Sequence, residues 1–424
     1  MRKYKQEMSN NRMQIASWVL FDLANTIFFF NIVSVHFALW IVNDLGGSDS
    51  DYSFANVIAM SLVIITAPIL GSLSDATGKR VPFLCFTTIA CVIFTCLLGI
   101  GGAQVSLLFF VFANYMFQTG LIFYDALLPF LTTKSNRGKI GSYGVGVGYI
   151  GSLIGAGIGI LWFDELGRIG MFRITGILFL LFAIPCFILI KEKKAPGPQF
   201  KVQIITGYYA QIKSTYIKAR SIKGVTRFLI GRMFYADAMN TLILFTGIYV
   251  TNELGLSDTA LQLILTCSII MAILGAPVWG ILVDSIGPKR TLDIVLYIWV
   301  IVLLGVAAVP LFSLPSNLIW LFAPLSGVAM AGVWCADRPY LIRLVPENAI
   351  GEFFGLYSLV GRFASIVGPL LWVFVSEGLG LGRPAAILSL LGMIAIAYAI
   401  LRGVSDNPEE LPRSPVLLLP ESSG

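Results

Sequence analysis

The sequence predicts an all-α membrane protein of twelve transmembrane helices, arranged as two pseudo-symmetric six-helix bundles. Three observations support this fold class: a composition poor in charge, twelve long apolar stretches, and short patterns that recur in both halves of the chain. Of the 424 residues, 57% are apolar and only 12% are charged, whereas an average soluble domain has about 25% charged residues. This composition excludes a disordered chain, a collagen-like chain, a disulfide scaffold and most cytosolic enzymes.

Each apolar stretch is long enough to cross the hydrocarbon core, which takes about 20 helical residues. The polar N-terminal segment lacks the features of a signal peptide, so the first stretch is predicted to remain as a span. Trp18 and Trp40 flank this span, and we expect them to anchor it at the two interfaces. The predicted spans are 16–41, 54–73, 81–101, 105–130, 140–163, 171–190, 226–250, 259–282, 291–312, 317–341, 353–376 and 384–402.

The basic residues orient these spans. If the N-terminus is cytoplasmic, 23 of the 29 Lys and Arg residues fall on the cytoplasmic side, and only Arg168, Arg173 and Arg383 fall outside. The positive-inside rule therefore predicts that both termini are cytoplasmic.

The chain divides into four segments. Residues 1–190 and 226–402 form the two bundles, and 191–225 form a basic cytoplasmic linker with an amphipathic stretch. The linker either lies on anionic headgroups or is a solvated connection. Residues 403–424, rich in Pro and Ser, are predicted to be a disordered cytoplasmic tail.

Short patterns recur in the same order in the two halves, which predicts a duplication of one six-helix unit. Two such units around a site at the midplane are typical of transporters. The corresponding segments are Ala67–Arg80 and Ala276–Arg290, Asp22–Thr26 and Asp237–Thr241, Tyr124–Pro129 and Ala336–Tyr340, and the glycine series 138, 148, 155 and 351, 361, 368.

Through the segment Gly71–Arg80 and its repeat, the chain resembles the major facilitator superfamily. Within it, the stretches Trp18–Thr26, Phe123–Pro129 and Gly141–Gly151 resemble the vacuolar amino-acid effluxer family and its prokaryotic relatives. The resemblance implies a secondary active transporter that moves a small polar solute, an amino acid, by alternating access, with efflux as the favoured direction. A sugar–cation symporter of a neighbouring branch and a non-transporting membrane sensor on the same fold are the alternatives.

The resemblance also implies a cytoplasmic gate in each half. It implies that Gly71 allows a close helix approach, that Asp75 faces a helix end across the domain interface, and that Lys79 and Arg80 lie at the inner headgroups. The family usually has a basic residue directly after the aspartate, but Ala76 stands there in this chain, and Ser285 in the repeat. The corresponding residues of the second half are Gly280, Asp284, Lys289 and Arg290.

Seven charged residues lie at least three residues from either end of a predicted span, where each costs at least about 2.5–3.5 kcal/mol and therefore needs a partner or a function. Two interpretations remain open: ion pairs that close the inner mouth, or acids that bind substrate or a coupling proton while an arginine grips a carboxylate. We expect substrate or proton binding by Asp22 with Asn25, Asp237 with Asn240, Arg232 and Arg362. We expect a gating role for Asp125, Tyr124, Asp337 and Arg338.

Other chemistry is not predicted. The chain has one histidine, His36, no CxxC pair and no Walker sequence, so no enzyme, metal site or cofactor is expected. The glycines of 146–151 match a dinucleotide fingerprint, but without a βαβ unit they favour helix packing. The coupling ion is expected to be a proton, with sodium as the alternative.

The expected partners are a small solute and the lipid bilayer, without nucleic acid, and the expected state is monomeric. The expected location is the inner membrane of a prokaryote or an organelle membrane, such as the vacuole, of a eukaryote.

Overall fold

A computed structural model describes residues 2–132, 137–192, 214–345 and 350–404. Most of the predicted linker (193–213), the tail (405–424) and the side chain of Asp75 lie outside the described residues. Within the linker, residues 214–221 are helical.

The first half contains six helices, α1 to α6, which alternate in direction. They are α1 (Arg2–Phe28, continuing through Phe29–His36, Phe37–Leu39 and Trp40–Asp44), α2 (Asp49–Thr77), α3 (Val81–Leu97), α4 (Gly102–Leu131), and α5 and α6, which together form Arg137–Leu189.

The second half repeats this arrangement with α7 to α12. They are α7 (Val225–Ile248 and Tyr249–Glu253), α8 (Asp258–Ile286), α9 (Pro288–Leu311), α10 (Ile319–Leu344), α11 (Ile350–Phe363, Val367–Val373 and Phe374–Gly378) and α12 (Gly382–Leu401).

The predicted helical membrane fold is confirmed. Ten helical stretches of the described residues are long and apolar enough to cross a membrane. One of them, Tyr143–Leu189, contains both α5 and α6, and α3 is a shorter apolar helix. The break between α5 and α6 is Gly167, whose φ of 59° is the left-handed conformation that glycine adopts without a steric penalty.

Glycine allows close contact between α1 and α5. A Cβ atom at Gly151 would lie against the backbone oxygen of Leu23 and the hydroxyl of Thr26, and one at Gly155 would lie 3.1 Å from Oδ1 of Asn31. The Thr26 hydroxyl also donates to the carbonyl of Gly148 at 2.6 Å. In lipid, such small residues let two backbones approach closely. The glycines at 148 and 151 therefore serve helix packing.

The two halves meet mainly in the half of the molecule predicted to face outward, which we call the outer side. We call the opposite half, which is predicted to face the cytoplasm, the cytoplasmic side. There α1 packs against α7, α2 against α11, and α5 against α8.

The prediction that Trp18 and Trp40 are interfacial anchors is wrong. Both side chains are buried, and Trp18 stacks on Tyr124 with ring centroids 4.6 Å apart. Their spacing matched the span length, but hydropathy does not show which face of a helix a side chain occupies.

Candidate substrate and coupling site

Asp22 lies half-buried on the cytoplasmic half of α1, directly against α5. A Cβ atom at Gly148 would lie 3.1 Å from its Oδ2 atom, so the glycine makes room for the carboxylate. Asn25 and Tyr124 lie within hydrogen-bonding reach of Asp22, and Asp125 lies within its electrostatic range. The predicted neighbours Asp22 and Asn25 are thus together, and two residues of α4 join them.

Trp18 and Tyr124 fix the position of α1 relative to α4. The Trp18 indole donates to the carbonyl of Tyr124 at 3.2 Å, and the Tyr124 hydroxyl donates to the carbonyl of Trp18 at 3.2 Å. Both side chains are buried. Tyr124, for which we expected a gating role, therefore also holds Asp22 in place.

On the cytoplasmic side, charged side chains of the two halves lie near each other at the exposed surface between the halves, which we call the opening. Asp125 of α4 and Arg338 of α10 are both exposed, and each lies within electrostatic range of the other. Arg362 of α11 also lies within range of Asp125, and its guanidinium approaches the carbonyl of Gln118 at 3.4 Å. The opening thus has acids on its first-half wall and arginines on its second-half wall. The sequence analysis did not identify Gln118.

Asp337 and Arg232 form a buried ion pair inside the second half. The Arg232 Nε atom lies 2.9 Å from Oδ2 of Asp337. The hydroxyls of Tyr235 and Tyr357 donate to the same carboxylate at 2.5 and 2.7 Å, and the guanidinium lies 3.5 Å from the centre of the Tyr357 ring. This pair joins α7 to α10 within one bundle, so it does not bridge the two halves.

Asp237 caps the second segment of α11. Its Oδ2 atom accepts a hydrogen bond of 2.8 Å from the backbone N–H of Gly368, at the start of Val367–Val373. Asn240 donates to the carbonyl of Ala364 at 3.0 Å in the break that precedes this segment. Asp237 and Asn240 therefore hold the two parts of α11 together.

The equivalent acids of the two halves thus have different surroundings. Asp237 and Asp337 are buried, and each binds partners of its own half through at least one carboxylate oxygen. Asp22 and Asp125 have no basic partner within 4 Å among the residues that the structure describes, and Asp125 is exposed. The acids of the first half are therefore the ones available to a solute.

The predicted gate residues at the cytoplasmic ends are only partly engaged. A Cβ atom at Gly71 or at Gly280 would meet nothing within 4 Å, so the close helix approach expected at Gly71 is not made in this conformation. Asp284, Lys79 and Arg290 are exposed. The physical reason is that the two halves contact each other mainly on the outer side.

Two other predicted gate residues make contacts within their own half or with the first residues of the linker. The backbone N–H of Arg80 donates to Glu192 at 2.6 Å, and its guanidinium lies 4.1 Å from the centre of the Phe130 ring. Lys289 pairs with Asp293 one turn further along α9.

Sequence reasoning missed a second cluster of charge, on the outer side. Arg168 and Arg383 had been used only to orient the chain, yet both pair with acids there. The sequence did contain a feature that could have identified them. Each arginine directly follows a glycine at the start of a helix, and the acids it meets stand at the first or last residue of other helices. Within the described ranges, no group of three or more His, Cys, Asp or Glu side chains is arranged to hold a metal ion.

Comparisons with known proteins agree with this architecture. The family model described as "Vacuole effluxer Atg22 like" matches residues 46–407. The uncharacterized MFS-type transporter YxiO of Bacillus subtilis (strain 168) is 27% identical over 419 residues, covering 93% of this chain and 94% of that protein. Autophagy-related protein 22-1 of Neosartorya fischeri is 26% identical over 301 residues, covering 64% of this chain and 49% of that protein.

Among solved structures, a D323A mutant of the nucleoside transporter NupG has a TM-score of 0.72 at 12% sequence identity, covering 92% of this chain and all of that one. This likeness confirms the major facilitator fold. The family model covers most of the chain, so the chain is a transporter and not an enzyme: it belongs to the Atg22-like vacuole effluxer family of major facilitator transporters.

Proposed function

We propose that this transporter is a proton-coupled effluxer of an amino acid. The observation that carries the proposal is the opening between the halves, where Asp22 and Asp125 face Arg338 and Arg362. The family supports the direction of transport, since its description names an effluxer.

The charges of the opening match those of a zwitterion. An arginine binds a carboxylate through parallel N–H donors, and a carboxylate binds an ammonium group. Because the acids lie on the first half and the arginines on the second, one amino acid would touch both halves at once. Binding would then pull the two halves together on the cytoplasmic side, where alternating access requires them to close.

Asp22 is the proposed proton carrier. It lies half-buried, without an ion-pair partner within 4 Å in the described part of the chain. Its surroundings offer hydrogen bonds from Asn25 and Tyr124 but also the repulsion of Asp125. A half-buried carboxyl group beside a second acid can take up or release a proton when a charged solute binds nearby.

The test is transport by the purified chain in proteoliposomes, with radiolabelled amino acids and an imposed pH gradient. We expect the gradient to drive amino-acid flux in the wild type, and Asp22→Asn to abolish the dependence on the gradient. An unchanged rate and pH profile in Asp22→Asn would remove this residue from the mechanism. Binding or transport of sugars alone would refute the amino-acid assignment.

Asp237→Asn is the matched control because it makes the same change at the equivalent position of the second half. The side chain would keep an oxygen that accepts from Gly368, so we expect the pH dependence to remain. If Asp237→Asn loses the pH dependence and Asp22→Asn keeps it, the coupling proton binds in the second half and the proposal for Asp22 is wrong.

A further inference from the structure

The outer side of the molecule is closed by two arginines, each bound to two acids. Arg168, the first residue of α6, lies 3.2 Å from Asp44 of its own half and 2.9 Å from Asp258 of the other half. Arg383, in the first turn of α12, lies 3.2 Å from Glu253 of its own half and 2.9 Å from Asp49 of the other. We call these two groups the outer clamps.

The outer clamps correspond to each other under the duplication. Asp44 and Glu253 each end the π-helical outer turn of their helix, and Asp49 and Asp258 each begin the next helix. Both acid pairs are separated by 209 positions in the sequence. Each half therefore gives one arginine to an acid of the other half and receives one in return.

Helix electrostatics explains why these arginines need acids. The N-terminus of a helix carries partial positive charge, which disfavours a cation and favours an anion. Arg168 and Arg383 stand at helix N-termini, so they depend on neighbouring carboxylates, whereas Asp49 and Asp258 suit their positions.

The acid that reaches across the halves is more deeply buried in the second clamp than in the first. Asp49 is 1% exposed and receives hydrogen bonds of 2.9 Å from Nε and Nη2 of Arg383 and from the Trp372 indole, all three from the other half. Removing one partner from a buried charge-assisted contact leaves the other partner uncompensated.

We propose that the outer clamps are the outer gate of the transport cycle, and that they must break for the protein to open outward. They lie at the outer ends of the helices that join the halves, and Gln262, one turn further into α8 than Asp258, is sealed beneath the first clamp. The proposal does not depend on which solute is carried.

The experiment measures thiol labelling by a maleimide in the full chain held in lipid nanodiscs. Gln262→Cys reports on the outer side because this side chain is 2% exposed and its amide lies 3.5 Å from Nε2 of His36 across the halves. Trp334→Cys reports on the cytoplasmic side, since Trp334 is 43% exposed one turn from Arg338. The chain without a reporter gives the background of the six native cysteines.

With these reporters, Asp49→Asn is expected to raise labelling at position 262 about tenfold, which is within the range of typical coupling between two states. Labelling at position 334 should fall in the same variant, because opening outward closes the cytoplasmic side. Asp51→Asn is the matched control: Asp51 lies on the same helix but, among the described residues, its carboxylate accepts only from Ser48 of its own half. It should label like the wild type.

Unchanged labelling at position 262 in Asp49→Asn would overturn the proposal. So would a rise at both reporters, because general loosening gives that result.

A charge exchange tests the pairing itself. Arg168→Asp and Asp258→Arg should each speed labelling at position 262, and the two together should slow it again. A double variant as fast as the single variants would also overturn the proposal.

Discussion

At the scale of single residues, the two halves use equivalent acids differently. Asp337 is enclosed by Arg232, Tyr235 and Tyr357, so its negative charge is compensated inside the bundle and is not available to a solute. The acid at the corresponding place, Asp125, is exposed to the opening. One copy of the duplicated unit has thus become a structural support, while the other has kept a carboxylate that can meet a solute.

This difference predicts opposite effects of the same substitution. Asp337→Asn leaves the buried charge of Arg232 without its counter-ion, so we expect a loss of about 3–5 kcal/mol of stability. Asp125→Asn should change stability by less than about 0.5 kcal/mol, as for other exposed sites. Thermal melting of the two purified variants measures both.

A double variant separates the charge from the packing. Arg232→Met with Asp337→Leu removes both ions and should recover most of the stability that Asp337→Asn loses. If Asp337→Asn and Asp125→Asn melt alike, the ion pair is not the support described here.

At the scale of helices, the closest contact of the first bundle depends on glycine. The backbone of α5 at Gly151 lies so near the backbone of α1 at Leu23 that no Cβ atom fits. At Gly146, on the exposed face of the same helix, a Cβ atom would meet nothing within 4 Å.

Gly151→Ala is therefore expected to destabilise the protein by about 1–3 kcal/mol through overpacking. Gly146→Ala should be neutral or stabilising by about 0.4–1 kcal/mol, because alanine loses less backbone entropy in a helix. Unfolding of the two variants side by side measures the difference. Equal stability would show that α1 and α5 separate easily at Gly151.

Hydropathy and charge alone predicted the twelve spans because each span carries its own signal in consecutive residues. The predicted spans 140–163 and 171–190 left a break over 164–170, and the structure places it at Gly167. The form of the break, one left-handed glycine with helix on both sides, was not predicted. The site was predicted in part. The charged residues in the spans could be found because lipid makes each of them conspicuous.

Their partners could not be found from the sequence. Arg232 meets Asp337 across 105 positions, and Asp237 meets Gly368 across 131. Such pairs are set by helix rotation and tilt, which a hydropathy profile does not contain. For the same reason the sequence did not reveal the outer clamps, because charged residues at helix ends cannot be told from ordinary loop charges without knowing how the helices are placed.

At the scale of the whole molecule, the described conformation is closed on the outer side, while its charged opening faces the cytoplasmic side. The two halves are joined by a hydrogen bond at the edge of the outer side, which we call the rim. There the Asn43 amide donates to the Thr251 hydroxyl across the halves at 3.3 Å. A transporter that alternates between two openings must break this contact in every cycle.

We therefore expect that Asn43→Cys combined with Thr251→Cys, after oxidation, stops transport in proteoliposomes. A reducing agent should restore it. Each single variant, treated with the same oxidant, is the control and should transport normally. Undiminished transport by the fully cross-linked double variant would show that the rim does not open.

The two outer clamps have the form of an isologous interface, in which residue i of one subunit meets residue j of the other and j meets i. A symmetric dimer of one six-helix subunit would make the same two contacts from a single arginine and a single acid. In such an ancestor, one mutation would have altered both contacts together. In one chain with two copies of the unit, each contact can change alone, and the indole of Trp372 hydrogen-bonds to the acid Asp49 of the second clamp.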